Sequence, residues 1–220
     1  MSWIGLLLVG VAVTDLVFSA RPARHVPELV GAGTAVVLAW GRSVTRGFGA
    51  GPAWLPLLVL GAGVALAVLF SGLAPGASGL LAAWLAGVGL PVLAGMPADR
   101  ALLLLGVVLL QISTGNVLVR LVLAVTHTVN PAREGSPSDP ATRLKGGRLL
   151  GPMERLVIVV LALAGQVVAA TVIVAAKGLL RFPELQSRRE QDRIHRLTEY
   201  FLVGSFASWL VAVGGLVLLG

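Results

Sequence analysis

The chain has no cysteine in 220 residues. That excludes disulfides, thiolate metal sites and thiol chemistry, and leaves the redox compartment open. Charge is scarce as well. Only 12% of the residues are Asp, Glu, Lys or Arg, about half the share of an ordinary soluble domain. Signatures of catalysis are also lacking. His25, His127 and His195 form no HExxH or similar spacing, which argues against a metalloenzyme. There is no G-x-S-x-G nucleophile elbow, and Lys145-Gly146-Gly147 lacks the spacing of a GxxxxGK[ST] phosphate loop. No metal and no cofactor is implied, and the reading leans away from an enzyme.

What the chain does contain is apolar and arranged in blocks. Hydrophobic residues make up 56%, and the mean hydropathy is +0.91. Long apolar blocks separated by short polar joints are the pattern of a multi-span membrane protein. The formal net charge is +7 and the sequence pI about 11.4. In a soluble protein such a balance points to nucleic acid. Here the bases collect in short loops beside apolar blocks, so membrane lipids with anionic headgroups are the expected partners, and nucleic acid is not. The N-terminal block lacks a basic leader and is interrupted by Asp15, so it reads as a retained helix. The bias toward Val, Ala, Leu, Gly, Arg and Pro suggests a GC-rich bacterial genome, hence the bacterial inner membrane.

The predicted fold is all-α: one integral membrane domain over 1–220, a bundle of about seven transmembrane helices. The spans fall near 3–20, 28–40, 52–73, 80–94, 101–128, 148–181 and 200–219. The second is shorter than the roughly 17 apolar residues a crossing needs, so six spans plus a re-entrant segment is the alternative. Residues 129–147 read as a polar loop and 183–196 as a charged interfacial connector. Glycine, alanine and serine on helix faces, such as Gly204 and Ser208, allow close helix packing and a homo-oligomer.

The sixth span carries the sharpest signal. Between Arg155 and Lys177 it holds no charge. As one helix it separates Glu154 from Lys177 by roughly 35 Å, near opposite faces of a bilayer. The basic loops on either side of it then lie on opposite sides of the membrane. The second is richer in Arg and Lys, which places it in the cytoplasm and the C-terminus outside.

Polar groups near spans are costly and usually have a task. At 100° per residue, Ser113, Asn116, Arg120 and His127 share one face of the fifth span, while Gln111 and Thr114 point elsewhere. Arg148, Arg155, Gln166 and Lys177 form a matching stripe on the sixth. Connectivity predicts two ion clusters. Glu154 meets Arg120 or Arg155 on one side, and Glu199 meets Lys177 or Arg181 on the other; Asp15 joins one of them. Structural ion pairs that set helix register are the leading reading. The alternative is a lipid-handling enzyme or anionic-lipid-binding protein. There the free N–H groups at the start of the sixth span, with Lys145 and Arg148, hold a phosphate near Arg120 and Glu154.

From residue 116 onward the chain resembles a group of uncharacterised bacterial integral membrane proteins. The resemblance rests on Thr114-Gly115-Asn116 with Arg120, on Gly147-Arg148-Leu149-Leu150-Gly151-Pro152-Met153-Glu154-Arg155, on Ala176-Lys177-Gly178 with Leu180-Arg181-Phe182, and on Thr198-Glu199-Tyr200-Phe201-Leu202-Val203-Gly204. It covers about half the chain and implies a membrane location without an activity. Gly115-Asn116, Lys145-Gly146-Gly147 and the 193–199 segment are also similar to short elements of bacterial membrane glycerol-3-phosphate acyltransferases. The extended Gly-Ser-Gly-Asn motif of those enzymes is not present.

Overall fold

The computed structural model describes residues 26–49, 51–73, 76–77, 80–87, 95–128, 147–185 and 191–220. Among these there are helices and turns and no strand. The first predicted span, with Asp15, lies outside them, as does nearly all of the polar loop including Lys145. Among the described residues, two helical stretches are long and apolar enough to cross a membrane, Ala98–Val125 and Thr198–Leu219. At about 1.5 Å per residue, 22 residues extend about 33 Å, against about 30 Å for the hydrocarbon core.

The chain divides into two compact units, one of residues 1–45 and 55–104, the other of 46–54 and 105–220. The first unit contains most of α1 (Val26–Gly47), α2 (Leu55–Leu69), a single turn at Ser71–Leu73, α3 (Leu80–Gly87) and the start of α4 (Ala98–Leu109). Helix α1 is nine residues longer than the 13-residue block that predicted it, since it starts at Val26 and takes in Arg42, Ser43, Thr45 and Arg46 beyond Trp40. Glu28 lies in its first turn and Arg46 in its last, the signs that suit the helix dipole. Helices α1 and α2 approach where Gly63 faces Val36, a spot a Cβ would occupy. Asp99, in the first turn of α4, accepts the N–H of Ala77, which lies ahead of α3.

The second unit holds the end of α4, one wide π turn at Leu110–Thr114, α5 (Gly115–Val125), α6 (Gly147–Leu163), α7 (Val167–Leu185) and α8 (Gln191–Leu219). Its apolar core is Val107, Ile158, Val159, Ala170 and Ala212, with Leu161, Val174, Trp209, Leu216 and Leu219 packed against it. Register follows from specific contacts. Gln111 bonds to the Val211 carbonyl, and a Cβ on Gly204 would touch Leu123 and Val119. The α4–α5 helix therefore runs antiparallel to α8. Glu154 meets Trp209, Arg155 meets Ser208, and Ile158 and Val159 share the core with Ala212. So α6 and α8 run parallel.

This corrects the single helix expected over 148–181. Helix α6 stops at Leu163, and Gly165 takes a φ of +74°. The N–H of Gln166 bonds to Leu161 O and that of Gly165 to Ala162 O. This is a Schellman stop, in which a left-handed glycine lets two late N–H groups satisfy carbonyls of the last turn. Had the helix continued straight, Ala170 would lie roughly 16 Å beyond Val159. Both belong to one core cluster, so the chain turns back at Gly165. Helix α7 is the return stroke between two parallel helices. The start of α6, the end of α7 and the start of α8 consequently lie at one end of this unit, and the two basic loops do not flank opposite ends of a single span.

Helix α5 ends in the same way with a less suitable residue. His127 has φ +58°, its N–H bonding to Ala124 O and that of Thr128 to Leu123 O. His127 thus lies beyond the helix end at Val125, and the predicted stripe of Ser113, Asn116, Arg120 and His127 does not share one helix face.

Candidate functional site

Arg155 is 1% exposed, a guanidinium sealed between helices. Its Nε donates to the Gln111 carbonyl at 3.1 Å, and Nη2 donates to the same oxygen at 2.8 Å. Nη2 also donates to Asn116 Oδ1 at 2.7 Å, and Nη1 to Ser208 Oγ at 3.0 Å. These bonds occupy four of the five N–H donors of an arginine. They join α6 to the π turn, α5 and α8.

The Gln111 carbonyl is free to receive Arg155 because of the wide turn. The N–H of Gly115 bonds to Leu110 O, five residues back, and passes over Gln111. In a regular α-helix that N–H would take the Gln111 carbonyl. Gly115 is needed for a second reason. A Cβ there would lie 2.8 Å from Nε and 3.0 Å from Cζ of Arg155, so only glycine leaves room for the guanidinium.

The Gln111 side chain, also fully buried, reaches α8. Its Nε2 donates to the Val211 carbonyl at 3.1 Å, and Gly215 lies against it where a Cβ would collide. Its Oε1 is buried without a hydrogen-bond partner. Beside Arg155, Glu154 is 7% exposed and accepts the indole N–H of Trp209 at 3.1 Å. Consecutive residues of α6 thus engage consecutive residues of α8.

The cluster sits at the middle of its helices. Arg155 is the ninth of 17 residues in α6. Gln111 is the fourteenth of 28 in Ala98–Val125, and Ser208 the eleventh of 22 in Thr198–Leu219. The helix that carries Glu154 and Arg155 extends equally far on both sides of Arg155.

Of the other predicted residues, Asn116 joins the cluster. Ser113 is exposed and bonds back to Leu109 O of its own helix. Arg120 is half-buried, its guanidinium carbon 4.5 Å from the centre of the Phe48 ring, at cation–π distance. Gln166 is exposed in the α6–α7 turn rather than part of a continuous stripe on one helix. Glu199 is exposed on α8. The side chains of Arg148, Lys177 and Arg181 lie outside the described residues. The hydrogen bonds of Arg155 run to neutral oxygens.

Sequence reasoning missed Gln111, Ser208 as a ligand of arginine, Trp209 and Gly115. The available signal was Gln111, a lone amide in the middle of a long apolar run. A constant 100° per residue turned it away from Asn116, and one extra residue in the turn shifts the faces by about one helical step.

Compared with models of known families, with characterised proteins and with solved structures, the chain matches none.

Proposed function

We propose that this chain is a polytopic protein of the bacterial inner membrane, a bundle of about seven transmembrane helices or six with a re-entrant segment. Its role on this reading is structural rather than catalytic: a small membrane scaffold, or the helical subunit of a transporter or channel. The observation that carries the reading is Arg155, buried at mid-height and held by hydrogen bonds from its neighbouring helices. A side chain so engaged has little capacity left for a substrate, and it fixes the depth at which α5, α6 and α8 meet.

The distribution of polarity supports the membrane. Soluble bundles bury apolar residues and expose charge. This unit has an apolar core, yet it also exposes large apolar side chains and buries polar ones. Leu105, Val160, Leu202, Phe206 and Leu210 are exposed, while Gln111, Glu154, Arg155 and Ser208 are buried. Hydrocarbon selects that arrangement, because a polar side chain facing lipid has no partner. An arginine at the centre of a helix costs about 2.5–3.5 kcal/mol on insertion scales. Hydrogen bonds to a charged group contribute about 1.5–3 kcal/mol each, so the observed set is enough to offset it.

Two experiments test the proposal. Membranes bearing the protein are washed with alkaline carbonate, and the chain is expected in the pellet; release into the supernatant contradicts the membrane reading. Arg155→Lys is then compared with the parent for folding and for co-purified lipid. A structural arginine predicts lost folded protein. Full folding with altered lipid content would instead favour a headgroup site.

A further inference from the structure

The turn at Gly165 changes where the charge of the second unit lies. Helices α6 and α8 are parallel and α7 returns between them, so four helix halves lead to one end: the second half of α5, the first of α6, the second of α7 and the first of α8. Seven bases occupy them, Arg120, Arg148, Arg155, Lys177, Arg181, Arg193 and Arg196, beside four carboxylates, Glu154, Glu184, Asp192 and Glu199. The sequence joining α5 to α6 contains three more, and that joining α7 to α8 two more. The halves leading to the other end, 105–109, 156–163, 167–173 and 209–219, contain no charged residue at all. A single helix over 148–181 would have split these bases between the two ends.

We propose that this basic end of the second unit is its cytoplasmic face and rests on anionic phospholipid headgroups. The inference depends on the membrane reading above. Lys and Arg beside spans are retained on the cytoplasmic side, and the anionic cytoplasmic leaflet attracts them. Aromatic and basic groups sit together at this level, as at a membrane–water interface: Arg120 stacks on Phe48, and Arg120 is nine residues, about 13 Å, from the mid-height residue Gln111. The end of α5, the start of α6, the end of α7 and the start of α8 then face the cytoplasm, while the short Ala164-Gly165-Gln166 turn and Gly220 face outward.

The chain has no cysteine, so single-cysteine variants report without a background. Ser138→Cys, Ser187→Cys, Ala164→Cys and Gln166→Cys are each treated in intact cells with a membrane-impermeant maleimide. Ala164→Cys and Gln166→Cys are expected to label from outside, and Ser138→Cys and Ser187→Cys only after permeabilisation. Labelling of positions 138 and 187 from opposite sides, or of both from outside, would overturn the inference and leave the membrane reading intact. Loss of the protein to a carbonate supernatant would sink both. The lipid is tested by reconstituting the full chain in phosphatidylcholine vesicles with and without phosphatidylglycerol. Phosphatidylglycerol is expected to raise the unfolding temperature, less so at high salt and less in the Arg193→Gln/Arg196→Gln variant. An equal unfolding temperature in both vesicles overturns the headgroup contact.

Discussion

Arg155 donates twice to the carbonyl of Gln111, from Nε at 3.1 Å and from Nη2 at 2.8 Å. One side chain thereby holds open a backbone irregularity on another helix. The wide turn exposes the carbonyl, the guanidinium takes it up, and Asn116 and Ser208 complete the fork. Each part requires the others, so the cluster should fail as a unit.

Replacement of Arg155 by alanine leaves buried oxygens on Gln111, Asn116 and Ser208 without their donor. An orphaned buried acceptor costs about 1–3 kcal/mol. The expected loss is at least about 3 kcal/mol in a reversible unfolding titration in mixed micelles. Arg155→Lys should rescue little, because an ammonium on a flexible stem does not reproduce a planar fork. Recovery of parental stability by lysine would show that charge, and not geometry, is what matters.

Glycine at 115 and glycine at 151 should respond differently to alanine. A Cβ at 115 collides with the guanidinium, and overpacking of this kind costs about 1–3 kcal/mol. A Cβ at 151 would lie 3.5 Å from Nη1 and 3.7 Å from Asn116 Oδ1, an ordinary contact. Gly115→Ala should therefore unfold at lower denaturant, and Gly151→Ala near the parent. Equal sensitivity at both positions would argue against a guanidinium packed on Gly115.

The two left-handed helix stops give opposite signs. His127 pays a side-chain penalty at φ +58° that glycine does not. His127→Gly is expected to raise stability by about 1 kcal/mol. Gly165→Ala places a Cβ at φ +74° and should lower it by about 1–2 kcal/mol. Thermal unfolding of the two variants beside the parent checks both signs.

Helical class and the long apolar stretches were legible in the sequence, because composition and block length report directly on long apolar helices. Glu154, Arg155 and Asn116 stood out for the same reason, as polar groups in apolar surroundings. The turn at Gly165 did not stand out, since a glycine inside an apolar helix costs only about 1 kcal/mol and this chain has 28 glycines. Its signal is the polar Gln166 that follows, which a straight helix places in one stripe with Arg155 and Lys177. The wide turn at Leu110–Thr114 was illegible for another reason. Nothing in Leu-Gln-Ile-Ser-Thr favours it locally; its opened carbonyl is stabilised by Arg155, 44 residues away.

Glu154 and Trp209 offer an independent probe of the α6–α8 register. Trp209→Phe keeps an aromatic ring, smaller than indole, and removes the N–H that Glu154 accepts at 3.1 Å. A hydrogen bond to a charged group contributes about 1.5–3 kcal/mol, and a loss of that order is expected in the same unfolding titration. A neutral Trp209→Phe would place Glu154 elsewhere.

The most direct test of the buried arginine is a double-mutant cycle between Arg155 and Ser208, with Arg155→Ala, Ser208→Ala and the double variant measured for unfolding free energy. Residues in one hydrogen-bond network couple by about 0.5–3 kcal/mol. The 3.0 Å bond between them predicts a coupling of about 1 kcal/mol or more. Additivity within about 0.3–0.5 kcal/mol would mean that the two side chains do not meet, and that α6 and α8 are not joined through Arg155.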